Sequence, residues 1–210
     1  MKNFLKNYGF IIFFVFVLVG LLDFRIALIA TICMIGPIIF AILGKGRFWC
    51  GNICPRGNFY DKIVSKISNK KSTPKFLKSK IFRLVVILFM FYMFGIGIYS
   101  NFNSLKGIGM VFYRMIVITS LIGIVLSIVY NKRIWCNFCP MGSIAAFISY
   151  FRKDRKKLYL QNTCVGCKVC EKSCPMNIDI TSYKNDFIND VDCIQCGVCI
   201  NKCPKNAINQ

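Results

Sequence analysis

Two stretches decide how the C-terminal part of this chain folds: Cys164-Val-Gly-Cys167-Lys-Val-Cys170-Glu-Lys-Ser-Cys174-Pro175 and Cys193-Ile-Gln-Cys196-Gly-Val-Cys199-Ile-Asn-Lys-Cys203-Pro204. Both read C-x2-C-x2-C-x3-C-P. Three thiolates at this spacing can wrap three corners of one iron–sulfur cubane, whereas the fourth cysteine, which precedes proline, is carried to the other cubane. The spacing therefore predicts two [4Fe-4S] clusters. The predicted ligands are Cys164, Cys167, Cys170 and Cys203 for the first cluster, and Cys193, Cys196, Cys199 and Cys174 for the second.

Disulfide bonds or structural zinc are the alternative uses of so many cysteines. Zinc sites usually combine two C-x2-C pairs, often with histidine, and the chain has no histidine. Thirteen cysteines, most of them at ligand spacing, indicate a reducing compartment rather than a disulfide framework. Because histidine is missing, a bis-histidine haem cannot be built and no haem is expected.

The rest of the chain is apolar and basic. Over 210 residues the mean hydropathy is +0.55, which is typical of a membrane protein. The formal charge of +20 lies in residues 1–158, because residues 159–210 balance five Lys and Arg with five Asp and Glu. Such basicity can indicate a nucleic-acid partner. Beside apolar helices, membrane topology explains it better, so no nucleic acid is expected.

Four apolar runs are predicted to cross the membrane: residues 8–22, 26–43, 81–99 and 110–130. A turn at residues 23–25 separates the first two, because one helix through both would measure about 50 Å, more than the hydrocarbon core. A signal peptide is the alternative for the first run, although no A-x-A cleavage site follows it.

A second cysteine motif follows the second and the fourth run. It reads Arg47-Phe-Trp49-Cys50 to Cys54-Pro55-Arg-Gly57 in the first copy, and Arg133-Ile-Trp135-Cys136 to Cys139-Pro140-Met-Gly142 in the second. After each copy, apolar residues at helical spacing predict an amphipathic helix on the membrane surface. These residues are Tyr60, Ile63, Val64 and Ile67 in the first helix, and Ile144, Phe147, Ile148 and Phe151 in the second.

The predicted architecture is therefore an internal duplication joined to a ferredoxin domain. Residues 1–80 and 81–158 form the two repeats of an all-α polytopic membrane domain with four transmembrane helices. Residues 159–210 form a small α+β bacterial-type 2[4Fe-4S] ferredoxin domain.

If the repeats face each other, Cys50, Cys54, Cys136 and Cys139 converge at the membrane surface. They could hold a third iron–sulfur cluster, bind a soft metal such as Cu(I), or form thiol–disulfide pairs. Helix-ending turns are the alternative role of these motifs. Cys33 lies alone in the second run and is predicted to be a small buried hydrophobe.

Charge predicts the orientation in the cell membrane. Residues 44–83 contain 11 Lys and Arg and residues 131–210 contain 12, with Lys2 and Lys6 on the same side. The opposite loops contribute only Arg25 and Lys106. The positive-inside rule therefore predicts a multi-pass protein with both termini in the cytoplasm.

Two pairs of spans that each end in W-C…C-P-x-G, followed by two cubane motifs, resemble the NapH/NosR-type membrane ferredoxins over nearly the whole chain. The resemblance implies quinol-linked electron transfer to respiratory reductases or their maturation, and therefore quinone as a partner. Copper-handling cytochrome oxidase assembly factors are similar in cysteine layout. The family pattern is C-x3-C-P in both repeats, and the second pair of this chain departs from it with C-x2-C-P.

The predicted function is one-electron transfer between a cytoplasmic carrier or redox enzyme and a membrane partner or quinone pool. No catalytic acid–base pair is visible, so an oxidoreductase subunit is expected rather than an autonomous enzyme. Two alternatives remain open. One is a metal-handling or maturation factor that reduces copper or a disulfide at the membrane-surface cysteines, and the other is a redox-sensing regulator.

Overall fold

The computed structural model describes residues 2–69, 71–152 and 157–209, and the side chains from residue 8 onward. Lys2 and Lys6, which were used to predict topology, have side chains outside this described part. The elements before the ferredoxin domain are α1 (Lys2–Leu22), a 3-10 turn (Phe24–Ile29), α2 (Ala30–Ile42), α3 (Phe48–Asn52), α4 (Pro55–Lys62), a 3-10 turn (Val64–Lys66), α5 (Lys75–Lys78), α6 (Lys80–Ser100), α7 (Leu105–Val129), a 3-10 turn (Ile134–Asn137) and α8 (Pro140–Phe151).

Three helical segments of the described chain are long and apolar enough to cross a membrane. They are Phe24–Ile42, Lys80–Ser100 and Leu105–Val129, with mean hydropathies of 2.2 to 2.4. No side chain of α6 is buried, as expected for a helix whose surroundings are lipid.

The predicted first span is shorter than these three. Its apolar part, Tyr8–Leu22, would cover about 22 Å at 1.5 Å per residue, less than the roughly 30 Å of the hydrocarbon core. The helix ends at Leu22 because the carboxylate of Asp23 accepts a hydrogen bond of 3.0 Å from the Arg25 N–H and so begins the 3-10 turn. The structure thus provides three helices of spanning length, and a four-span topology stays a prediction.

The two predicted surface helices differ from each other. Tyr60 and Val64 are 0% and 1% exposed, because α4 packs along α1 and the Phe13 and Trp135 side chains fill its apolar side. Two of the four residues of this predicted face are therefore buried inside the protein, whereas Ile67 is exposed, and its position on a membrane surface stays a prediction. In α8 small residues face α2, while Phe147 and Phe151 are exposed.

The ferredoxin domain is a small α+β unit. It contains β1 (Tyr159–Leu160), α9 (Val169–Lys172), a 3-10 turn (Thr181–Tyr183), β2 (Asp186–Phe187), α10 (Val198–Lys202) and β3 (Ile208–Asn209). The strands form an antiparallel sheet in the order β2-β1-β3, with Tyr159 opposite both Phe187 and Asn209. Isoleucine side chains, Leu158, Leu160 and Met176 form its core.

This domain is held against α5, the segment before α5 and the loop that follows α7. The Lys78 ammonium donates to the carbonyl oxygens of Met176 (2.6 Å) and Asn177 (2.9 Å). The Asn131 amide donates to the side chains of Thr73 (2.8 Å) and Asn177 (3.1 Å). These contacts fix one end of the ferredoxin domain, the end that carries Cys174, beside the membrane domain.

Candidate iron–sulfur centres

The two C-x2-C-x2-C-x3-C-P motifs have the same backbone conformation. Left-handed φ angles occur at equivalent positions of both: 70° at Gly166 and 50° at Gln195 between the first two cysteines, and 57° at Lys168 and 75° at Gly197 after the second. These turns reverse the chain around a common point, as three ligands of one cubane require. A non-glycine residue in this region is uncommon, so Lys168 and Gln195 mark geometry imposed by the motif.

The eight cysteines of these motifs line two separate cavities. Cys193, Cys196, Cys199 and Cys174 line one, and Cys164, Cys167, Cys170 and Cys203 line the other. In each cavity three cysteines come from one motif and the fourth from the other motif. The structure thus brings together the cysteines that the sequence groups in its crossed ligand sets, and their role as ligands stays a prediction.

The chemistry of the cavities suits iron–sulfur clusters. Burial raises the pKa of both Cys193 and Cys199 to about 12, so the protein alone does not stabilise their thiolates. Bound iron would stabilise these thiolates through its positive charge, because a coordinated thiol loses its proton. Backbone donors assist: the Ala207 N–H lies 3.3 Å from the Cys203 sulfur. The residues therefore fit a cubane in each cavity.

The second cysteine set comes from the segments that follow α2 and α7. Cys50 lies in α3 and Cys136 in the 3-10 turn after α7, while Cys54 and Cys139 stand immediately before α4 and α8. Burial raises the pKa of Cys50 to about 12; the Arg47 guanidinium opposes this rise, and the thiols of the other three cysteines add to it. The four thiols are therefore near enough to interact electrostatically, and we call this group of cysteines the four-thiol site.

Cys33 is not isolated as predicted. It is half-buried, and its thiol is the largest contribution after burial to the elevated pKa of Cys54, about 12. The Cys33 thiol is therefore near enough to Cys54 to interact with it electrostatically. Helical spacing alone did not reveal this, because it depends on how α2 and the segment before α4 are packed. Within the described chain, no three Cys, Asp or Glu side chains are close enough to bind a single metal ion.

Two carboxylates that the sequence analysis missed accompany the site. The Arg133 guanidinium donates to Asp61 at 2.6 Å, and Arg47 donates to Asp192 at 2.9 Å. Burial would raise the pKa of Asp61, but the positive charges of Arg133 and Lys132 outweigh it and hold this pKa at about 2. Asp61 and Asp192 are two of only eight acidic residues in a chain with 28 basic ones, and that scarcity was the available signal.

The loop of the second cluster rests directly on the four-thiol site. A Cβ atom placed on Gly51 would lie 2.1 Å from the carbonyl oxygen of Ile194, which stands between Cys193 and Cys196. The neighbouring Asn52 amide donates to the Gln195 carbonyl at 3.2 Å. Gly51 is therefore required for this close approach. It lies inside the first cysteine pair, whose spacing C-x3-C is one residue longer than the C-x2-C spacing of the second pair.

An apolar cavity of about 100 Å³ opens on the other side of Cys139, between α2, α6 and α7. Arg56 and Trp135 also line it. Arg56 donates to the Thr119 hydroxyl (3.1 Å) and carbonyl (2.6 Å), and its guanidinium lies 4.8 Å from the Trp135 ring. Among described atoms, neither Arg56 Nε nor Trp135 Nε1 has a hydrogen-bond partner. We call this space the interhelical cavity.

Comparison with known families agrees with both cysteine sets. A family described as a 4Fe-4S dicluster domain matches residues 163–208. A second family, described as a 4Fe-4S binding domain, matches twice, at residues 26–74 and 113–158, and each match contains one pair of the four-thiol site. The chain is an iron–sulfur protein of the ferredoxin type. No solved structure matches this ferredoxin-type protein.

Three relatives are similar to this ferredoxin-type protein. Two uncharacterized proteins of Methanocaldococcus jannaschii are 28% and 32% identical over 73% and 69% of the chain. The methylamine utilization ferredoxin-type protein MauN of Methylobacillus flagellatus is 25% identical over 72% of the chain. The matched regions cover 61%, 65% and 55% of these relatives, so the chain spans less than two thirds of their length.

Proposed function

We propose that this protein relays single electrons between a cytoplasmic carrier or redox enzyme and a redox partner in the membrane. The first cluster, the second cluster and a third centre at the four-thiol site form the relay. The observation that carries the proposal is the contact between Ile194 and Gly51, which places the ligand loop of the second cluster against the Cys50 segment. Cys50 and Cys136 also pack against the ferredoxin core.

The third centre is proposed to be an iron–sulfur cluster rather than a single metal ion, because no three Cys, Asp or Glu side chains of the described chain are close enough to bind one ion. Four converging cysteines supply the soft ligands that iron–sulfur clusters and Cu(I) prefer. As in the ferredoxin cavities, burial disfavours the free thiolate at Cys50 and Cys54, so a bound cation is what allows these thiols to ionise. When bound, the metal supplies one-electron chemistry, and the protein supplies ligands, buried surroundings and charge.

The membrane-side partner is proposed to be a quinone in the interhelical cavity. The cavity walls are apolar, and Cys139 belongs both to the cavity and to the four-thiol site. Arg56 Nε and Trp135 Nε1 provide donors without partners among described atoms, and these suit a carbonyl oxygen. A quinone takes up two electrons and two protons to form a quinol, so one turnover needs two single-electron steps. Oxidation of the quinol releases two electrons and two protons.

The proposed topology has four spans with both termini in the cytoplasm, the first span being the short α1. Because 25 Lys and Arg lie on the predicted inner side, a tag at Gln210 should be cut by protease in inverted vesicles but not in intact cells. Labelling of that tag on intact cells would contradict the orientation.

Metal analysis of anaerobically purified protein tests the third centre. We expect more metal than two cubanes require, above about eight irons per chain. Cys54→Ser and Cys139→Ser should each remove the same excess and leave the ferredoxin clusters intact, and the double variant should lose little more. Cys164→Ser is the matched control, because it should damage the first cluster and spare the excess.

Two other outcomes would count against the relay. Iron near eight together with copper would favour the metal-handling alternative, in which the ferredoxin clusters reduce a bound copper ion. Iron of about eight with no other metal, and unchanged electron transfer in both variants, would reduce the four-thiol site to helix-ending turns.

A further inference from the structure

Each half of the membrane domain inserts a buried arginine into the other half. Arg47 and Arg133 are 1% and 0% exposed. Arg47 donates to the Cys136 carbonyl, and Arg133 donates to the Cys50 carbonyl at 2.7 Å. The first cysteine of each pair is therefore held by the arginine of the opposite pair.

The glycines of the two motifs make room for this exchange. A Cβ atom on Gly142 would lie 2.6 Å from Arg47 Nη2, and one on Gly57 would lie 2.5 Å from Arg133 Nη1. The arginine that opens each R-x-W-C…C-P-x-G motif thus occupies the space left by the glycine that closes the other copy. This contact accounts for the arginine and the glycine of the motif, two positions that belong neither to the ferredoxin cavities nor to the four cysteines.

Both guanidinium groups bring positive charge to the four-thiol site. Arg133 Nη1 lies 3.6 Å from the Cys136 sulfur and is directed toward it as a donor. A thiolate-bound centre gains negative charge when it is reduced, so fixed donors and cations beside it favour the reduced state. Buried groups act strongly here, because little water screens them.

The two arginines differ in their carboxylate partners. Arg133 pairs with Asp61, which belongs to the membrane domain, at 2.6 Å. Arg47 pairs at 2.9 Å with Asp192, which directly precedes Cys193 of the second cluster. Asp192 is also bound by Arg83 through both carboxylate oxygens, at 2.9 and 2.6 Å. Of these two arginines, therefore, Arg47 is the one that connects the four-thiol site to the residue preceding the second-cluster motif.

We propose that Arg47 and Arg133 are positioning residues that lock the two cysteine pairs together and raise the redox potential of the centre they hold. Arg47 in addition ties the potential of that centre to the second cluster through Asp192. This inference rests on the proposed third centre. It gives the exchanged arginines a role that a merely structural pair would not have, since a structural pair would leave all potentials unchanged.

Redox titration of the purified protein, followed by electron paramagnetic resonance, tests the inference. In Arg133→Gln the midpoint potential of the third centre should fall, while both ferredoxin clusters titrate as in the wild type. In Arg47→Gln the midpoint potential of the third centre should also fall. The midpoint potential of the second cluster should fall with it, because Asp192 loses one of its two arginine partners. Arg133→Lys should recover part of the shift. Arg114→Gln is the control, because Arg114 is an exposed residue of α7.

A second variant guards against misfolding. Arg133→Gln combined with Asp61→Asn removes both members of the pair, and Lys132, the other cation beside Asp61, is partly exposed to solvent. The midpoint potential of the third centre should fall less in this double variant than in Arg133→Gln alone. Unchanged potentials in all arginine variants of a protein that holds three centres would overturn the inference and leave the relay standing. A wild-type protein with only two centres would overturn the third centre itself.

Discussion

The ferredoxin domain and the four-thiol site collect their cysteines in different ways. In the ferredoxin domain, three of the four cysteines around each cavity come from one stretch of seven residues, such as Cys193 to Cys199. At the four-thiol site, each half contributes two cysteines, and Arg133 reaches across 83 residues to hold Cys50. Local turns build the first kind of site, whereas long-range packing and buried charge build the second. The two regions should therefore fail differently when they are altered.

The largest expected effect tests the crossed ligands of the ferredoxin domain. Cys174→Ala should destroy the second cluster, because Cys174 lines the cavity of Cys193, Cys196 and Cys199. Cys203→Ala should destroy the first cluster for the corresponding reason. Electron paramagnetic resonance of each variant distinguishes the two signals. Loss of the same signal in Cys174→Ala and Cys164→Ala would show that the pairing is not crossed.

Breaking the buried ion pair should have the next largest effect, and it should act on the four-thiol site. Arg133→Gln leaves the half-buried Asp61 without its main partner, and the loss should approach the roughly 3–5 kcal/mol of a fully buried pair. Lys132→Ala is the matched control: it contacts the same carboxylate at 3.1 Å from a more exposed position, and such pairs contribute about 0–1 kcal/mol. Thermal unfolding of the detergent-solubilised protein measures both. Equal losses in the two variants would contradict the special role of Arg133.

A smaller effect is expected where the two regions meet. Gly51→Ala should push the loop of the second cluster away from the four-thiol site, because its Cβ would lie 2.1 Å from the Ile194 carbonyl. Overpacking of this kind costs roughly 1–3 kcal/mol. Electron transfer from the second cluster to the third centre should slow, as stopped-flow reduction would show. Gly95→Ala is the control, since nothing lies within 4 Å of its Cβ position; an equal slowing in both would disconnect the contact from the relay.

Features built by residues close together in the sequence could be predicted, whereas features built by packing between distant segments could not. The spacing of the ferredoxin cysteines predicted sets that the structure brings around two cavities, because one motif and its proline define the geometry locally. The burial of Tyr60 and the neighbours of Cys33 were not predicted. Both depend on which helix packs against which, and helical periodicity gives the apolar face of a helix but not its partner.

The charged residues around the four-thiol site show the same limit. Asp61 and Asp192 look like ordinary solvated acids in the sequence, and only the fold pairs them with buried arginines. The first apolar run was predicted to end at Leu22, and α1 ends there, because the side chain of Asp23 caps the 3-10 turn that follows. Short polar interruptions of this kind decide element length more than composition does.

The contact of Ile194 with Gly51 also has a kinetic meaning. A diffusing ferredoxin must meet, bind and leave each partner, and its turnover depends on concentration and salt. Here the second cluster is a captive carrier: in the proposed relay its transfer to the membrane site is a first-order step that dilution cannot slow. Recognition of a soluble donor is left to the opposite end of the domain, where the first-cluster cysteine Cys167 is exposed.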